Sequence, residues 1–224
     1  MKTILCFAAH PDDLEFSCTG TLHQFLIEGY EAVFVILTNG ENGFKAKSDS
    51  REERVETRKK EQLDVAKKLG LKDVIFLDKI DGFLEYDEDL RSSLVKIIKQ
   101  YKPEIIFSFD PANNDFDSLN LFHRDHRTAA IAVFDACFAA KNNLMYPGPQ
   151  HKVEKIYFFA TNKPNHFEDI SDLIEFKLEL LRCHKSQFPD FSKVEKYLKE
   201  RVSVSHGSYK YCEAFRVIEV KQLT

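Results

Sequence analysis

The feature that most constrains this chain is an apolar run near its start that ends in a cluster of polar side chains. Residues 4–9 have the sequence ILCFAA, and HPDD follows directly at residues 10–13. The run predicts a buried strand. Pro11 ends that strand, since it has no backbone N–H and favours an extended residue before it. A helical pattern follows at residues 19–28. The cluster therefore lies at the carboxyl edge of a predicted α/β sheet, where such folds place their ligand sites.

A second cluster of the same residue types lies further along the chain, at residues 123–126, with the sequence HRDH. It follows an apolar run at residues 105–109 and a loop at residues 110–122 that is rich in Asn and Asp. Turns also attract Pro and Asp, so a solvated turn is the ordinary alternative for the first cluster alone. Two clusters, each after a predicted strand, favour a shared site. Long loops of this kind are commonly functional, and we expect the loops at residues 38–50 and 110–122 to decide specificity.

The rest of the chain alternates between β-rich apolar runs and helical patterns. Strands are predicted at 3–9, 32–37, 74–77, 105–109, 155–160 and 213–220, and helices at 19–28, 50–69, 90–101, 128–140, 171–184 and 192–202. The helix at 50–69 is predicted to bury a stripe of Leu63, Val65, Ala66 and Leu69. This alternation predicts an α/β fold with a mostly parallel sheet. We expect one domain over residues 1–224, with residues 150–224 as a small subregion that covers the site.

Composition argues against a nucleic-acid partner, an oxidising compartment and a membrane span. The 224 residues carry a formal net charge of −4 with a pI of about 6.1, so the basic footprint of a nucleic-acid-binding protein is missing. The five cysteines are scattered without a CxxC motif, and no signal peptide or long apolar run is evident. These features predict a reduced, cytoplasmic protein without a membrane span. A homo-oligomer is compatible with the sequence.

The two clusters contain the residue types of a hydrolytic metal site. Two His and one Asp with water in the fourth position form a catalytic zinc arrangement, and His10, Asp13 and His126 supply such a set. The same ligands also accept iron, cobalt or manganese. Zinc lowers the pKa of its water toward about 7 and polarises a carbonyl group. Adjacent carboxylates seldom point the same way, so Asp12 is predicted to stay off the metal and take the proton of that water.

Two further residues of the second cluster, His123 and Asp125, have supporting roles in this hypothesis. His123 lies three residues before His126, at helical spacing, and could stabilise an oxyanion and protonate the leaving amine. Asp125 could orient an imidazole from behind the ligands.

Taken together, these motifs resemble those of the PIG-L/LmbE family of zinc-dependent N-deacetylases. The family's AHPDD motif, its acidic residue and its GGT-like turn are matched at residues 9–13, Glu15 and residues 19–21, and its HPDH motif is matched at residues 123–126. Weaker matches cover nearly the whole chain in order: LTNGE at residues 37–41, R-x-x-E at 58–61 before Leu69-Gly70, Lys177 with H-x-SQ at 184–187, and E-x-F at 213–215.

The resemblance implies a Rossmann-like three-layer sandwich and a small-molecule substrate, an N-acetylglucosamine-type amino sugar or its conjugate, from which an acetyl group is removed. It also implies roles for individual residues: zinc ligands His10, Asp13 and His126, general base Asp12, intermediate-stabilising His123 with Asp125 as its electrostatic partner, and Arg58 near the substrate.

Several residues have two interpretations at this stage. Arg124 stands where the family has Pro, and it either binds an anionic substrate or faces solvent. Glu15 either supports the site or is a charge that favours a helix N-terminus. Without the resemblance, Arg58 and Glu61 would be an ordinary surface pair. His184 either belongs to the site or complements a helix C-terminus.

Two other functions compete with deacetylation. Clusters of His and carboxylates also serve two-metal phosphoesterases, which bind more than one ion per chain. The other rival is a non-catalytic sugar or nucleotide binder. The chain has no GxGxxG after its first strand, which argues against a dinucleotide.

Overall fold

The described residues form a central sheet of seven strands with helices on both faces. The computed structural model describes residues 2–44, 50–113, 123–203 and 206–220. The strands are β1 (Thr3–Ala8), β2 (Glu31–Thr38), β3 (Asp73–Lys79), β4 (Ile105–Phe109), β5 (Lys155–Phe159), β6 (His166–Asp169) and β7 (Cys212–Glu219). Their order is β3-β2-β1-β4-β5-β7-β6. The first five in that order are parallel, and β7 runs antiparallel to both β5 and β6.

The helices complete a three-layer sandwich, which confirms the predicted Rossmann-like α/β fold. They are α1 (Asp13–Ser17), α2 (Thr19–Ile27), α3 (Arg51–Leu69), α4 (Glu88–Tyr101), α5 (Arg124–Ala140), α6 (Ile174–Leu181) and α7 (Phe191–Val202). Short 3₁₀ turns occur at Glu41–Gly43 and Ser171–Leu173. Helices α4 and α5 pack together and contact β1, while α2 and α3 lie against β2 and β3 and contact α6.

Strand β1 lies at the centre of the parallel part of the sheet, where the strand order reverses. It pairs with β2 on one side and with β4 on the other. Every residue of β1 is buried, as expected for a strand that is covered on both faces. Loops that leave neighbouring strands in opposite directions open a crevice at such a reversal, and this is where α/β folds bind ligands. The HPDD cluster follows β1 directly and so enters that crevice.

The sequence predicted most elements within a few residues, and it missed two. Helix α1 was not expected, because five residues with no apolar repeat give no helical pattern. Strand β6, at the edge of the sheet, was also missed; it has four residues and carries only one large apolar side chain. Helix α5 begins at Arg124 instead of residue 128, and the helix predicted at 171–184 is a 3₁₀ turn followed by α6.

Helix α3 has the predicted bounds but buries a different face. Ser50 Oγ accepts the N–H of Glu53 (3.2 Å), and the Glu53 carboxylate accepts the N–H of Ser50 (2.7 Å), which is a capping box. The helix ends at Gly70, whose φ of 78° suits glycine. The prediction for Leu63 was wrong: it is 50% exposed. The buried face of α3 instead includes polar residues, and it consists of Arg58, Glu61, Gln62, Val65, Ala66 and Leu69.

A buried ion pair joins the C-terminal part of the chain to the start of α2. Glu213 on β7 accepts the N–H groups of Gly20 (3.0 Å) and Thr21 (2.8 Å) and the hydroxyl of Thr21 (2.6 Å), and it pairs with Lys177 of α6. Lys177 is fully buried. A Cβ atom on Gly20 would lie 2.6 Å from the Ile170 side chain, which explains the glycine. Gly20 and Thr21 of the GGT-like turn therefore meet two residues of the weak C-terminal motifs in one buried cluster, which we call the Lys177–Glu213 clamp.

The C-terminal residues belong to the same sheet as the N-terminal ones. Strands β5 and β7 extend it beyond β4, and α6 and α7 share a small apolar cluster of Ile170, Ile174, Leu178, Leu181, Leu198 and Val202. For this reason we propose that residues 1–224 form one domain. Of the two predicted specificity loops, residues 45–49 and 114–122 lie outside the described residues. In the described ranges, no helix is both long and apolar enough to cross a membrane.

The end of β4 suggests a test of acid stability. Asp110 is buried and accepts hydrogen bonds from Arg216 (Nε, 2.8 Å), Thr161 (2.6 Å) and the N–H of Ala112 (2.8 Å). Burial alone would raise the pKa of Asp110, but these bonds outweigh it and lower the pKa below the ordinary 3.8. A carboxyl group with a lowered folded-state pKa stabilises the fold above its unfolded pKa, and this contribution disappears as the pH falls through the folded value.

We therefore expect Asp110→Asn to lower the free energy of unfolding by about 2 kcal/mol at pH 7, because Arg216 loses its charged partner. The difference from the wild type should shrink below pH 3.8. Urea unfolding at pH 7 and pH 3 measures both values, and Asp172→Asn, on an exposed carboxylate, is the control. A difference of equal size at both pH values would contradict the assignment.

Candidate active site

The two His/Asp clusters meet at the carboxyl edge of the sheet. His10 follows β1, His123 directly precedes α5, and His126 lies in the first turn of α5. The ring centroids of His123 and His126 are 3.8 Å apart, and those of His10 and His123 are 4.9 Å apart. Phe109, at the end of β4, stacks on His126 at 4.1 Å between centroids. Residues 113 positions apart in the sequence are thus in contact, as the sheet-edge argument predicted.

Asp13 lies between the two imidazoles that were predicted to share a metal with it. Its Oδ1 atom is 3.0 Å from Nε2 of His126, and its Oδ2 atom is 3.4 Å from Nδ1 of His10. Oδ2 also accepts the N–H of His10 at 2.8 Å. A nitrogen from each of His10, His123 and His126 lies within 4.8 Å of the others, so His123 is also within reach. Imidazole and carboxylate donors at this spacing, all at least partly buried, could bind a divalent metal ion.

Carboxylates behind His10 determine which of its nitrogens is available. Nε2 of His10 is 3.1 Å from Asp81 and 3.2 Å from Asp125, which leaves Nδ1 to face Asp13. Burial alone would lower the pKa of His10, but its bonds to these three carboxylates outweigh it and raise the pKa well above the ordinary value. Such carboxylate partners commonly orient a metal-binding imidazole and increase its basicity.

Asp125 has further partners besides the expected one. The resemblance pairs Asp125 with His123, and the negative charge of Asp125 does act to raise the pKa of His123. The Asp125 carboxylate also contacts His10 and accepts the N–H groups of Gly82 (2.7 Å) and Leu84 (3.1 Å). Asp81 was missed by the sequence analysis. It follows β3 at the same sheet edge as the two clusters, and that position was the available signal.

Asp12 has an unusual backbone that points its carboxylate away from Asp13. Its φ of 97° is in the left-handed region, which is costly for a residue other than glycine. Arg58 donates to the carbonyl of Pro11 and to the Asp12 carboxylate (3.1 Å), and Gln62 accepts the N–H of Asp12 (3.3 Å). Burial raises the pKa of Asp12, and the Arg58 charge opposes that rise.

Arg58 and Glu61 are not a surface pair, so the interpretation made without the resemblance is wrong. Arg58 is 2% exposed and lines the pocket beside Asp12. Glu61 is also buried and accepts the N–H and the hydroxyl of Ser186, both at 2.7 Å. Helix α3 therefore connects the first cluster to the segment that contains the H-x-SQ motif.

A second buried group of polar side chains lies beneath Asp12. Glu15 is fully buried; it accepts the side-chain N–H of Gln62 (2.9 Å), and its other oxygen lies 3.5 Å from Nε2 of His184. Burial opposes ionisation, but the contacts to His184 and Gln62 outweigh it and lower the pKa of Glu15. Through Gln62, the carboxylate of Glu15 is connected to the backbone of Asp12. Glu15 and His184 thus support the site from behind, rather than only complementing helix ends.

His123 has a neutral imidazole at physiological pH. Burial, followed by the charges of His126 and His10, lowers its pKa to about 4. A neutral imidazole has one N–H to donate, which suits stabilisation of an oxyanion by a hydrogen bond. Protonation of the leaving amine, the second role predicted for His123, would require its imidazolium form and stays a prediction.

All of the predicted site residues except Asp125, which is fully buried behind His10, line one open pocket of about 700 Å³. This volume lies within the range of about 300–1,000 Å³ that is usual for small-molecule sites. Its wall also includes Gln187 of the H-x-SQ motif and residues that sequence reasoning did not find, namely Phe16, Asp81, Phe188, Tyr197 and Arg201. Arg124 is not among the described residues of the wall. Its side chain is 50% exposed and contacts Glu85 at 2.7 Å, so the solvent-facing interpretation is the one that the structure favours.

Comparisons with known proteins agree with this site. The PIG-L family, described as GlcNAc-PI de-N-acetylase, matches residues 5–137. Diacetylchitobiose deacetylase of Thermococcus kodakarensis is 31% identical over 229 residues, which cover 97% of this chain and 84% of that protein. A probable N-acetyl-alpha-D-glucosaminyl L-malate deacetylase 2 of Bacillus cereus is 25% identical over 199 residues, with coverage of 83% and 84%.

A solved structure of a deacetylase is also similar to this chain. N,N'-diacetylchitobiose deacetylase from Pyrococcus horikoshii, in complex with its inhibitor MPG, has a TM-score of 0.90 and 30% identity, and the match covers 97% of this chain and 84% of that one. These relatives are deacetylases that act on sugars of the N-acetylglucosamine type. The fold, the paired clusters and the matches therefore agree: the chain belongs to the PIG-L/LmbE family of deacetylases.

Proposed function

We propose that this deacetylase is a zinc-dependent hydrolase that removes the acetyl group of an N-acetylglucosamine-type amino sugar or its conjugate. The observation that supports this proposal most directly is the position of Asp13 between His10 and His126, with Asp12 beside them in the same pocket. The proposed setting is the reducing cytoplasm, which is consistent with five free cysteines.

In the proposed mechanism His10, Asp13 and His126 would hold the metal ion. The donor set fits zinc because it combines two imidazoles and a carboxylate that are nearly buried and backed by Asp81 and Asp125. Zinc would supply Lewis-acid polarisation of the acetamido carbonyl and a water of lowered pKa.

Asp12 is the proposed general base. Its carboxylate faces the pocket and is oriented by Arg58, so it is available to take the proton of the attacking water. Since the pKa of Asp12 is raised by burial, the protonated carboxyl that results can then deliver its proton to the leaving nitrogen. The amine and acetate are the products.

His123 is the proposed oxyanion partner. A hydrogen bond from its neutral imidazole would strengthen as the carbonyl oxygen gains charge in the tetrahedral intermediate. Arg58 is proposed to contact the substrate as well as Asp12, because its guanidinium also lines the pocket.

The role of Asp12 is tested by Asp12→Asn. We expect kcat to fall by about 10²–10⁴-fold, the usual contribution of a general base. Metal content, measured by mass spectrometry, should stay the same because Asp12 is not a proposed ligand. Asp172→Asn, which removes an exposed carboxylate, should leave kcat unchanged. Full turnover by Asp12→Asn with metal bound would refute the mechanism.

Metal removal tests both the cofactor and the phosphoesterase alternative. The proposed mechanism uses one ion per chain, although His10 also belongs to a second potential metal group with Asp81 and Asp125. We expect a chelator to abolish amine release from N-acetylglucosamine compounds and Zn²⁺ to restore it. His126→Ala should lose the ion. Two ions per chain with release of phosphate from a phosphoester would instead support the phosphoesterase.

A further inference from the structure

We infer that Tyr197 and Arg201 form a subsite at the mouth of the pocket, which binds an anionic group on the part of the substrate beyond the N-acetylated sugar. This inference rests on the proposed function and specifies its substrate class. The ligand would be an N-acetylglucosamine-type glycoside whose aglycone carries a carboxylate or a phosphate.

Helix α7 presents these two side chains to the pocket. Leu198 and Val202 on α7 are buried in the apolar cluster that α7 shares with α6. Tyr197 and Arg201 precede them by one position each and line the pocket. Since they are four residues apart, they are neighbours on one helix face. The helix is thus fixed by its buried face, and the adjacent face holds an aromatic ring beside a guanidinium.

An aromatic wall connects this subsite to the metal donors. The ring of Phe16 on α1 is 5.6 Å from that of Phe188 and 6.1 Å from that of Tyr197, in edge-to-face geometry. Phe16 is three residues after Asp13, so the wall begins close to the proposed metal ligands. Tyr197 is 47% exposed although it is large and apolar. A sugar ring could place its C–H face against this wall while its acetamido group reaches the donors.

The distribution of charge separates the two ends of the pocket. The carboxylates of Asp12, Asp13 and Asp81 line the inner part, and Arg58 there is already paired with Asp12. Arg201, by contrast, has no carboxylate partner among the residues that the structure describes. An anionic group would be attracted to Arg201, whose charge no described carboxylate offsets. The neutral acetamido group would reach the proposed metal donors while the anion stays beside Arg201.

The experiment compares matched glycosides with the metal-loaded enzyme. The N-acetylglucosaminide of a hydroxy acid is compared with its neutral primary amide, and a third glycoside carries a phosphate. For Arg201→Gln we expect kcat/KM for the carboxylate to fall about tenfold through KM, a loss of about 1.4 kcal/mol. The amide should change less than twofold. Arg201→Lys should recover part of the loss, and added salt should raise KM for the anionic glycosides in the wild type only.

Lys196→Gln is the matched control, because it removes a cation from α7 that is 78% exposed and does not line the pocket. It should change neither substrate. The phosphate arm identifies the anion that is preferred. An equal effect of Arg201→Gln on the carboxylate and the amide would overturn the subsite and leave deacetylation standing. Failure to release amine from any glycoside would overturn the proposed function, and calorimetric binding of the carboxylate and the amide to wild type and Arg201→Gln would still decide the subsite.

Discussion

The site depends on the left-handed backbone of Asp12. A residue other than glycine in this conformation costs on the order of 1–3 kcal/mol, and the surrounding contacts must offset that cost. Arg58 and Gln62 do so by binding the Pro11 carbonyl, the Asp12 carboxylate and the Asp12 N–H. The conformation turns two adjacent carboxylates in different directions. Asp13 faces the imidazoles and Asp12 faces Arg58, so each carboxylate can have its own task.

The need to hold Asp12 in this conformation explains why the buried face of α3 is partly polar. A helix that packs on a sheet normally buries an apolar stripe, but α3 uses part of this face to hold the HPDD segment. Glu15 and His184 extend the support toward α6, and they are fully buried. Buried polar groups of this kind are costly unless they are paired, and here their pairing also orders the residues that line the pocket.

The sequence predicted that the two clusters meet, because the sheet edge follows from strand-helix alternation and both clusters follow predicted strands, and the structure brings them together. Sequence reasoning failed where partners come from distant segments. Leu63 was assigned to the core because only apolar residues were counted, although Arg58 and Gln62 occupy the inward positions. The pairing of Asp125 with His10 depends on the loop after β3, and no local pattern encodes it. Tyr197 and Arg201 look like ordinary helix surface until α7 is placed beside the pocket.

The positions of the strands along the sequence also determine when the site can form during synthesis of the chain. Strand β1 and the HPDD segment emerge before β4, which begins at Ile105, and before His126, which follows Asp13 by 113 residues; the Lys177–Glu213 clamp also requires β7. A nascent chain therefore holds two of the three proposed metal donors, His10 and Asp13, without the third until His126 has been made. Any ion bound by all of these donors recognises only the nearly complete fold, so its binding energy stabilises the whole domain rather than an early fragment.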